Sequence, residues 1–141
     1  MPTSTASAVW NGSIGEGSGT MTMANYEGPY SAPSRFQGAE GSTPEELLAA
    51  AHAGCFSMQL SALLTRGGHT PDRIETSADV KIEKLEDGWA ITSVHLTTNA
   101  AVPGIDEATF LEFADKAKAT CPVSKLYAGG SAEITMDATL A

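Results

Sequence analysis

One stretch in the first half of the chain, EELLAAAHAGCFSMQLSALL, constrains the fold more than any other segment. Its acidic residues stand only at the start, and small or apolar side chains cover nearly every face of a helix drawn through it. A helix that is apolar nearly all round is typical of a buried position with neighbours on several sides. We therefore predict one long, buried central helix around which the rest of the fold packs.

Local signals set both ends of this helix. Thr43 can cap its start, Pro44 suits the first turn, and Glu46 completes a capping box. A pair of glycines follows Arg66, which is where we expect the helix to end.

The segments on either side of the central helix predict an α+β fold. TASAVWNG and GTMTMANY indicate two strands, and EGPYSAPSRFQGAEGS indicates a long ordered loop. The run from residue 73 to 102 alternates strongly around an Asp-Gly pair, which is typical of a hairpin. DEATFLEFADKAKAT fits a second helix capped by Asp106, and SAEITMDATL fits a last strand. We predict antiparallel sheets in a single domain over residues 1–141.

The charge and hydropathy of the chain disfavour several function classes. Its 8 Lys and Arg stand against 17 Asp and Glu, a net charge of −9, which argues against nucleic-acid binding. No apolar run approaches about 20 residues without polar breaks, so we expect no membrane span. MPTSTASAVW has neither the basic start nor the apolar stretch of a signal peptide. We therefore expect a cytoplasmic protein, whose two cysteines are catalytic, metal-binding or inert rather than a structural disulfide.

Cys55, in the middle of the predicted helix, admits two interpretations. A buried free cysteine often only packs, and burial raises its pKa. A position in mid-helix is beyond the field of the helix N-terminus, so a reactive Cys55 needs a cation from elsewhere. Arg35, beside Phe36 in the Pro-rich loop, is the outstanding candidate, although it could also be a solvated loop charge. His52 is three residues before Cys55 and could be either a packed side chain or a base.

Cys121 stands in a different setting, directly before Pro122. Proline pushes its predecessor out of helical geometry and can open a new helical turn, which places Cys121 at a helix junction. A fixed thiol at position 55 and a movable one at position 121 suit an attacking and a resolving cysteine. A metal site is disfavoured, because the cysteines are 66 positions apart without a CxxC or HxxxH pattern and the three histidines are scattered.

Three segments together, RFQGAEGSTPEELLAAAHAGCFSMQLS, AVPGID and KAKATCPVSK, resemble the family of osmotically inducible protein C (OsmC) and organic hydroperoxide resistance (Ohr) proteins, and most closely its OsmC branch. The resemblance covers most of the chain and implies an intertwined homodimer without cofactor or metal. Cys55 matches the family's peroxidatic thiol, and Cys121 matches its resolving thiol. Arg35 matches the activating arginine, and Glu45 the carboxylate that orients it. Gly54 departs from the family, in which alanine is more usual.

The resemblance implies a thiol peroxidase that reduces organic hydroperoxides to alcohols. Cys55 would become a sulfenic acid that condenses with Cys121, and an external dithiol, for which the resemblance points to lipoyl groups on proteins, would reduce the disulfide. Apolar side chains at Tyr30, Phe36, Met58 and Leu60 could line a site for bulky peroxides or could belong to the core. Two other classes stay open: a redox sensor or binding module, and a structural stress protein with inert thiols.

The spacing of Glu45 and Cys55 bears on the oligomeric state. Ten positions on one helix correspond to about 15 Å along its axis, which a Glu side chain cannot cover. If both residues serve one site, either the helix breaks between them or Glu45 comes from another subunit. The intervening run contains no proline, so we expect a two-fold dimer with two shared sites, and Arg35 could cross with Glu45 or remain with its own chain.

Overall fold

The computed structural model describes residues 1–141, and internal contacts divide them into two units, Met1–Glu46 and Leu47–Ala141. The boundary lies near the start of the long helix. The single domain over residues 1–141 stays a prediction.

The first unit is built on a three-stranded antiparallel sheet. Its strands, in spatial order, are β1 (Ser7–Asn11), β2 (Ser18–Met23) and β3 (Tyr26–Tyr30), followed by the short helix α1 (Ala32–Phe36). The first two strands were predicted, but the prediction of a long loop after them was wrong, since that segment contains β3 and α1. A reciprocal capping box holds α1, in which the side chains of Ser31 and Ser34 each accept the other residue's backbone N–H.

The long helix, α2, runs from Pro44 to Arg66 without a break, as predicted. Its capping box is also present. The Thr43 N–H donates to Glu46 Oε2 at 3.0 Å, and the Glu46 N–H donates to Thr43 Oγ1 at 3.1 Å.

One face of α2 is buried, and another is open. Only 22% of its most apolar 18-residue window is buried, so the prediction of a helix buried on all sides is wrong for the single chain. Between the two ends of the helix, the exposed residues are Ala50, Ala51, Gly54 and Met58. By length and composition α2 would also qualify as a membrane span, a possibility that the sequence-based expectation discounted because of its polar breaks. The core helix of a soluble protein meets the same criterion, so this property carries little weight.

The second unit contains a three-stranded sheet and two helices. The strands β4 (Arg73–Leu85), β5 (Gly88–Ala101) and β6 (Glu133–Leu140) lie in that order. β4 and β5 form the predicted hairpin, in which Leu85 pairs with Gly88 and the positive φ of 123° at Gly88 suits a residue without Cβ. The helices α3 (Glu107–Thr120) and α4 (Pro122–Ala128) follow β5.

β6 pairs with β5 in parallel, so the prediction of purely antiparallel sheets is wrong for this unit. The physical reason is the connection: two helices lie between these strands and return the chain to the end of the sheet where β5 began. Such a crossover produces parallel neighbours, whereas a tight turn produces antiparallel ones.

The core of the second unit lies where α2 and α3 meet the inner face of the sheet. Phe56 and Leu60 of α2, Leu96 of β5 and Phe110 of α3 are all 0% exposed. Cys121 belongs to this core and Cys55 packs against it, so the fold brings both thiols to the edge of the apolar interior.

Candidate active site

The two cysteines of the chain are in contact. The Cys121 thiol donates to Cys55 Sγ over 3.1 Å, and both are free thiols. Cys121 is fully buried, whereas Cys55 is partly accessible. The structure therefore unites the two predicted thiols across 66 positions of sequence.

Cys121 lies at the helix junction that its proline predicted. It follows the last residue of α3 and precedes the first residue of α4, with φ −57° and ψ 126°, outside helical geometry. Its N–H still donates to Ala117 O at 2.8 Å, and its carbonyl accepts from the Lys125 N–H at 2.9 Å. The backbone of Cys121 is thus held by both helices, and its side chain is directed at α2.

The surroundings of Cys55 within the second unit favour the neutral thiol. Burial raises the pKa of Cys55, a hydrogen bond from the backbone N–H of Val123 opposes this rise, and the adjacent Cys121 thiol adds to it. A nucleophilic thiolate at neutral pH therefore needs a further source of positive charge.

Arg35 and Glu45 form an ion pair within the first unit. Arg35 Nε donates to Glu45 Oε1 at 3.1 Å and to Oε2 at 3.2 Å, while Nη2 donates to Oε1 at 2.5 Å. The Glu45 side chain is 9% exposed and that of Arg35 34%, and the guanidinium lies 5.2 Å from the centre of the Phe36 ring. The expected contact between carboxylate and arginine is present. Arg35 stands on α1 rather than in the predicted loop, and its Nη1 side does not contact Glu45.

His52 is fully buried on α2, one helical turn before Cys55. Its Nε2 and the Ser124 hydroxyl are 2.6 Å apart, Nδ1 has no partner, and its ring meets the edge of Tyr127 at 5.1 Å between centroids. Burial lowers the pKa of His52, so the ring is neutral at pH 7. We assign the proton to Nε2, because a bare nitrogen at Nδ1 costs less than a buried N–H without an acceptor.

A second polar contact joins the same parts of the fold. Gln59 Nε2 donates to Thr120 Oγ1 at 2.8 Å, and the Thr120 hydroxyl donates onward to Lys116 O at 2.7 Å. Sequence reasoning missed Ser124, Gln59 and Thr120. The one relevant signal in the sequence is the spacing of His52 and Gln59, which are three residues before and four residues after Cys55 and so share its helix face.

The apolar side chains that were candidates for lining the site differ in their burial. Leu60 is a core residue, whereas Met58 is 76% and Phe36 38% exposed. Among residues 1–141, no three side chains of His, Cys, Asp or Glu come together as possible metal ligands.

The fold and the contacting thiols define a mixed α+β protein with a dithiol centre. The sequence model of the OsmC family, described as OsmC-like protein, matches residues 37–137, a span that includes Glu45, Cys55 and Cys121. The chain therefore belongs to the OsmC-like protein family.

Individual relatives agree with this assignment. The chain is 47% identical to peroxiredoxin OsmC of Escherichia coli (strain K12) over 133 residues, 92% of this chain and 91% of that protein. The crystal structure of an OsmC-like protein from Mycoplasma pneumoniae matches with a TM-score of 0.78 at 18% identity, covering 99% of this chain and 97% of that one. The organic hydroperoxide resistance protein OhrB of Bacillus subtilis matches with a TM-score of 0.74 at 25% identity, covering 95% and 97%.

Proposed function

We propose that this chain is a cysteine-based peroxidase that reduces organic hydroperoxides to alcohols, with Cys55 as the attacking thiol and Cys121 as the resolving thiol. The observation that carries the proposal is the contact between two free thiols, 3.1 Å apart, at the edge of an apolar core. Relatives named peroxiredoxin and organic hydroperoxide resistance protein support the same chemistry.

The reaction proceeds in two steps. The Cys55 thiolate attacks the terminal peroxide oxygen, the O–O bond breaks, and the alkoxide takes a proton and leaves as the alcohol. Cys55 is then a sulfenic acid. Cys121 forms a bond to Cys55 Sγ, the S–O bond breaks, and the hydroxyl leaves with the thiol proton as water.

An external dithiol completes the cycle. Reduction of the Cys55–Cys121 disulfide requires two electrons, which a dithiol supplies by thiol–disulfide exchange. A lipoyl group on a protein suits this role because its two thiols are linked, and no resident cofactor takes part.

Arg35 supplies the positive charge that Cys55 needs. A guanidinium beside the sulfur favours the thiolate, and Nη1, which Glu45 leaves unused, can donate to the peroxide. Glu45 fixes the orientation of the Arg35 guanidinium by accepting three hydrogen bonds from Nε and Nη2. The Phe36 ring below the guanidinium contributes to the same restraint.

The complete site forms in a two-fold dimer. Since α2 is unbroken from Pro44 to Arg66, Glu45 and Cys55 of one chain are about 15 Å apart along the helix axis. Arg35 and Glu45 of the partner subunit therefore serve Cys55. The exposed Ala50, Ala51, Gly54 and Met58 give α2 a face on which a second copy can pack closely.

A redox sensor is the second candidate, favoured by one observation. Burial and the neighbouring Cys121 thiol raise the pKa of Cys55. The raised pKa slows attack on peroxide unless Arg35 lies beside the sulfur. A sensor oxidises once and does not need rapid turnover, so a steady-state rate separates the two functions.

Turnover tests the proposal directly. With a dithiol in excess, we expect steady consumption of cumene hydroperoxide, faster than that of hydrogen peroxide, and no consumption by Cys55→Ser. Ile14→Ala is a surface control, since the Ile14 side chain is 72% exposed in the turn between β1 and β2 and belongs to neither the thiol pair nor the exposed face of α2. Equal rates for the wild type and Cys55→Ser would refute the assignment, and oxidation without turnover would favour the sensor.

A further inference from the structure

Two hydrogen bonds bracket the thiol pair. On α2, His52 is three residues before Cys55 and Gln59 four residues after it, so all three share one helical face. The partner of His52 is Ser124, three residues after Cys121, and the partner of Gln59 is Thr120, directly before Cys121. In sequence, each cysteine therefore has one of these hydrogen-bonded residues on its N-terminal side and another on its C-terminal side.

The two hydrogen bonds, His52–Ser124 and Gln59–Thr120, differ in solvent exposure. His52 and Ser124 are 0% and 2% exposed, so water cannot compete for their 2.6 Å contact. Gln59 and Thr120 are partly accessible, and the onward bond from Thr120 to Lys116 O fixes the direction of its hydroxyl. Thr120 is therefore held as an acceptor for the Gln59 amide, even where water is present.

The separation of the sulfurs is that of a near-attack arrangement. Reacting atoms held about 3–3.5 Å apart give effective molarities far above those of free reactants, and a displacement of about 1 Å can cost a hundredfold in rate. The two thiols are already at 3.1 Å before oxidation. Cys121 lies at a helix junction, and its backbone is not helical. Side-chain hydrogen bonds from the residues on either side of it can therefore determine where its sulfur points.

We propose that His52 and Gln59, through Ser124 and Thr120, are positioning residues that hold the Cys121 thiol against Cys55 and so set the rate of disulfide formation rather than the rate of peroxide attack. The inference rests on the proposed function for its place in the cycle. The step it governs joins the sulfenic acid of Cys55 to the thiol of Cys121 and releases water. Slow resolution leaves the sulfenic acid exposed to a second peroxide, which oxidises it to sulfinic acid.

The variants follow from the contacts. Ser124→Ala and Thr120→Val each remove one hydroxyl, and we expect Thr120→Val to fold because that site is partly accessible. His52→Gln places an amide nitrogen near the position of Nε2 and serves as the conservative rescue, whereas His52→Leu removes the donor. Tyr127→Phe is the matched control, because its hydroxyl also joins α4 to α2, through Leu48 O at 3.0 Å, but has no place in the bracket.

The first measurement separates the two chemical steps. Rapid mixing of reduced protein with cumene hydroperoxide, followed by acid quench and intact-mass analysis, resolves sulfenic acid, disulfide and sulfinic acid. We expect Ser124→Ala, Thr120→Val and His52→Leu to slow disulfide formation about tenfold or more and to accumulate sulfinic acid. The peroxide step should change by less than about twofold, and His52→Gln and Tyr127→Phe should resemble the wild type. Equal slowing of both steps, or no slowing of the second, would overturn the inference.

The second measurement does not require peroxidase activity. Equilibration with reduced and oxidised glutathione gives the effective concentration of the Cys55–Cys121 dithiol. The same three variants should lower it about tenfold or more, whereas a loss of general stability leaves it unchanged. A shift no larger than that of Tyr127→Phe would overturn the inference. If no form consumes peroxide, the proposed function fails while the glutathione result still decides this one.

Discussion

The shared site predicts that two inactive variants restore each other. Glu45→Ala lacks the carboxylate that orients Arg35, and Cys55→Ser lacks the attacking sulfur. Unfolding equal amounts of the two together and refolding them yields both homodimers and the heterodimer. In the heterodimer, Cys55 of the Glu45→Ala chain receives an intact Arg35 and Glu45 from the other chain.

The expected recovery follows from the geometry of α2. Because Glu45 and Cys55 are about 15 Å apart on one unbroken helix, the proposed dimer takes the sulfur of each site from one chain and the ion pair from the other. Random pairing makes about half of the dimers heterodimers, and each contains one complete site out of two. The mixture should therefore show about a quarter of wild-type activity, whereas sites made within one chain predict none.

Two further mixtures sharpen this test. Arg35→Ala mixed with Cys55→Ser should also recover activity, because Arg35 and Glu45 are hydrogen-bonded in the same chain and the proposed dimer brings both to the same Cys55. Arg35→Ala mixed with Glu45→Ala should stay at background, since every Cys55 then meets a damaged pair. Heterodimers are confirmed by native mass spectrometry of differently tagged chains. Confirmed heterodimers of Glu45→Ala and Cys55→Ser without activity above background would refute the shared site.

Three further predictions concern single residues. Cys121→Ser should consume about one equivalent of peroxide per chain and then stall as the sulfenic acid or over-oxidise to sulfinic acid in excess peroxide, which intact mass measures; a variant that resists over-oxidation as well as the disulfide-forming wild type would contradict the resolving role of Cys121. Arg35→Lys loses the paired contacts to Glu45. The loss of a charge-assisted hydrogen bond of about 1.5–3 kcal/mol corresponds to roughly a tenfold to hundredfold fall in kcat/KM. A kcat/KM within twofold of the wild-type value would show that the positive charge alone suffices. Burial lowers the pKa of His52, so its contribution to stability is complete above the unfolded pKa of about 6.5 and is lost as the pH falls from there through the folded pKa. Urea unfolding between pH 7.5 and 5 should show a smaller loss for His52→Gln than for the wild type, and identical slopes would contradict the neutral buried ring.

Elements with strong local signals could be predicted from the sequence. The capping box of Thr43 and Glu46 set the start of α2, and strict alternation set the hairpin of β4 and β5. The short helix α1 was missed, because five residues carry little propensity and its stability comes from the reciprocal bonds of Ser31 and Ser34. The parallel direction of β6 depends on the path of α3 and α4 through space, which no local pattern encodes.

The candidate site was predicted unevenly. Cys55, Cys121, Arg35 and Glu45 were identified by resemblance to a family, and the structure brings them together as two pairs, sulfur with sulfur and arginine with carboxylate. The hydrogen bond of His52 could not be predicted, because its partner is 72 positions away and a buried histidine can bond to many kinds of neighbour. The burial of α2 within its own chain was overestimated, since an all-apolar pattern does not distinguish contact with the same chain from contact with a second one.

The most direct test of the central claim is the mass of the protein after one equivalent of cumene hydroperoxide. Reduced wild-type protein should lose the mass of two hydrogens, and peptide mapping should place the new bond between Cys55 and Cys121 while one cumyl alcohol forms per chain. Cys121→Ser should instead gain one oxygen on Cys55. A wild-type chain that keeps its mass and leaves the peroxide intact, or that forms the alcohol without any change at Cys55, would contradict the account.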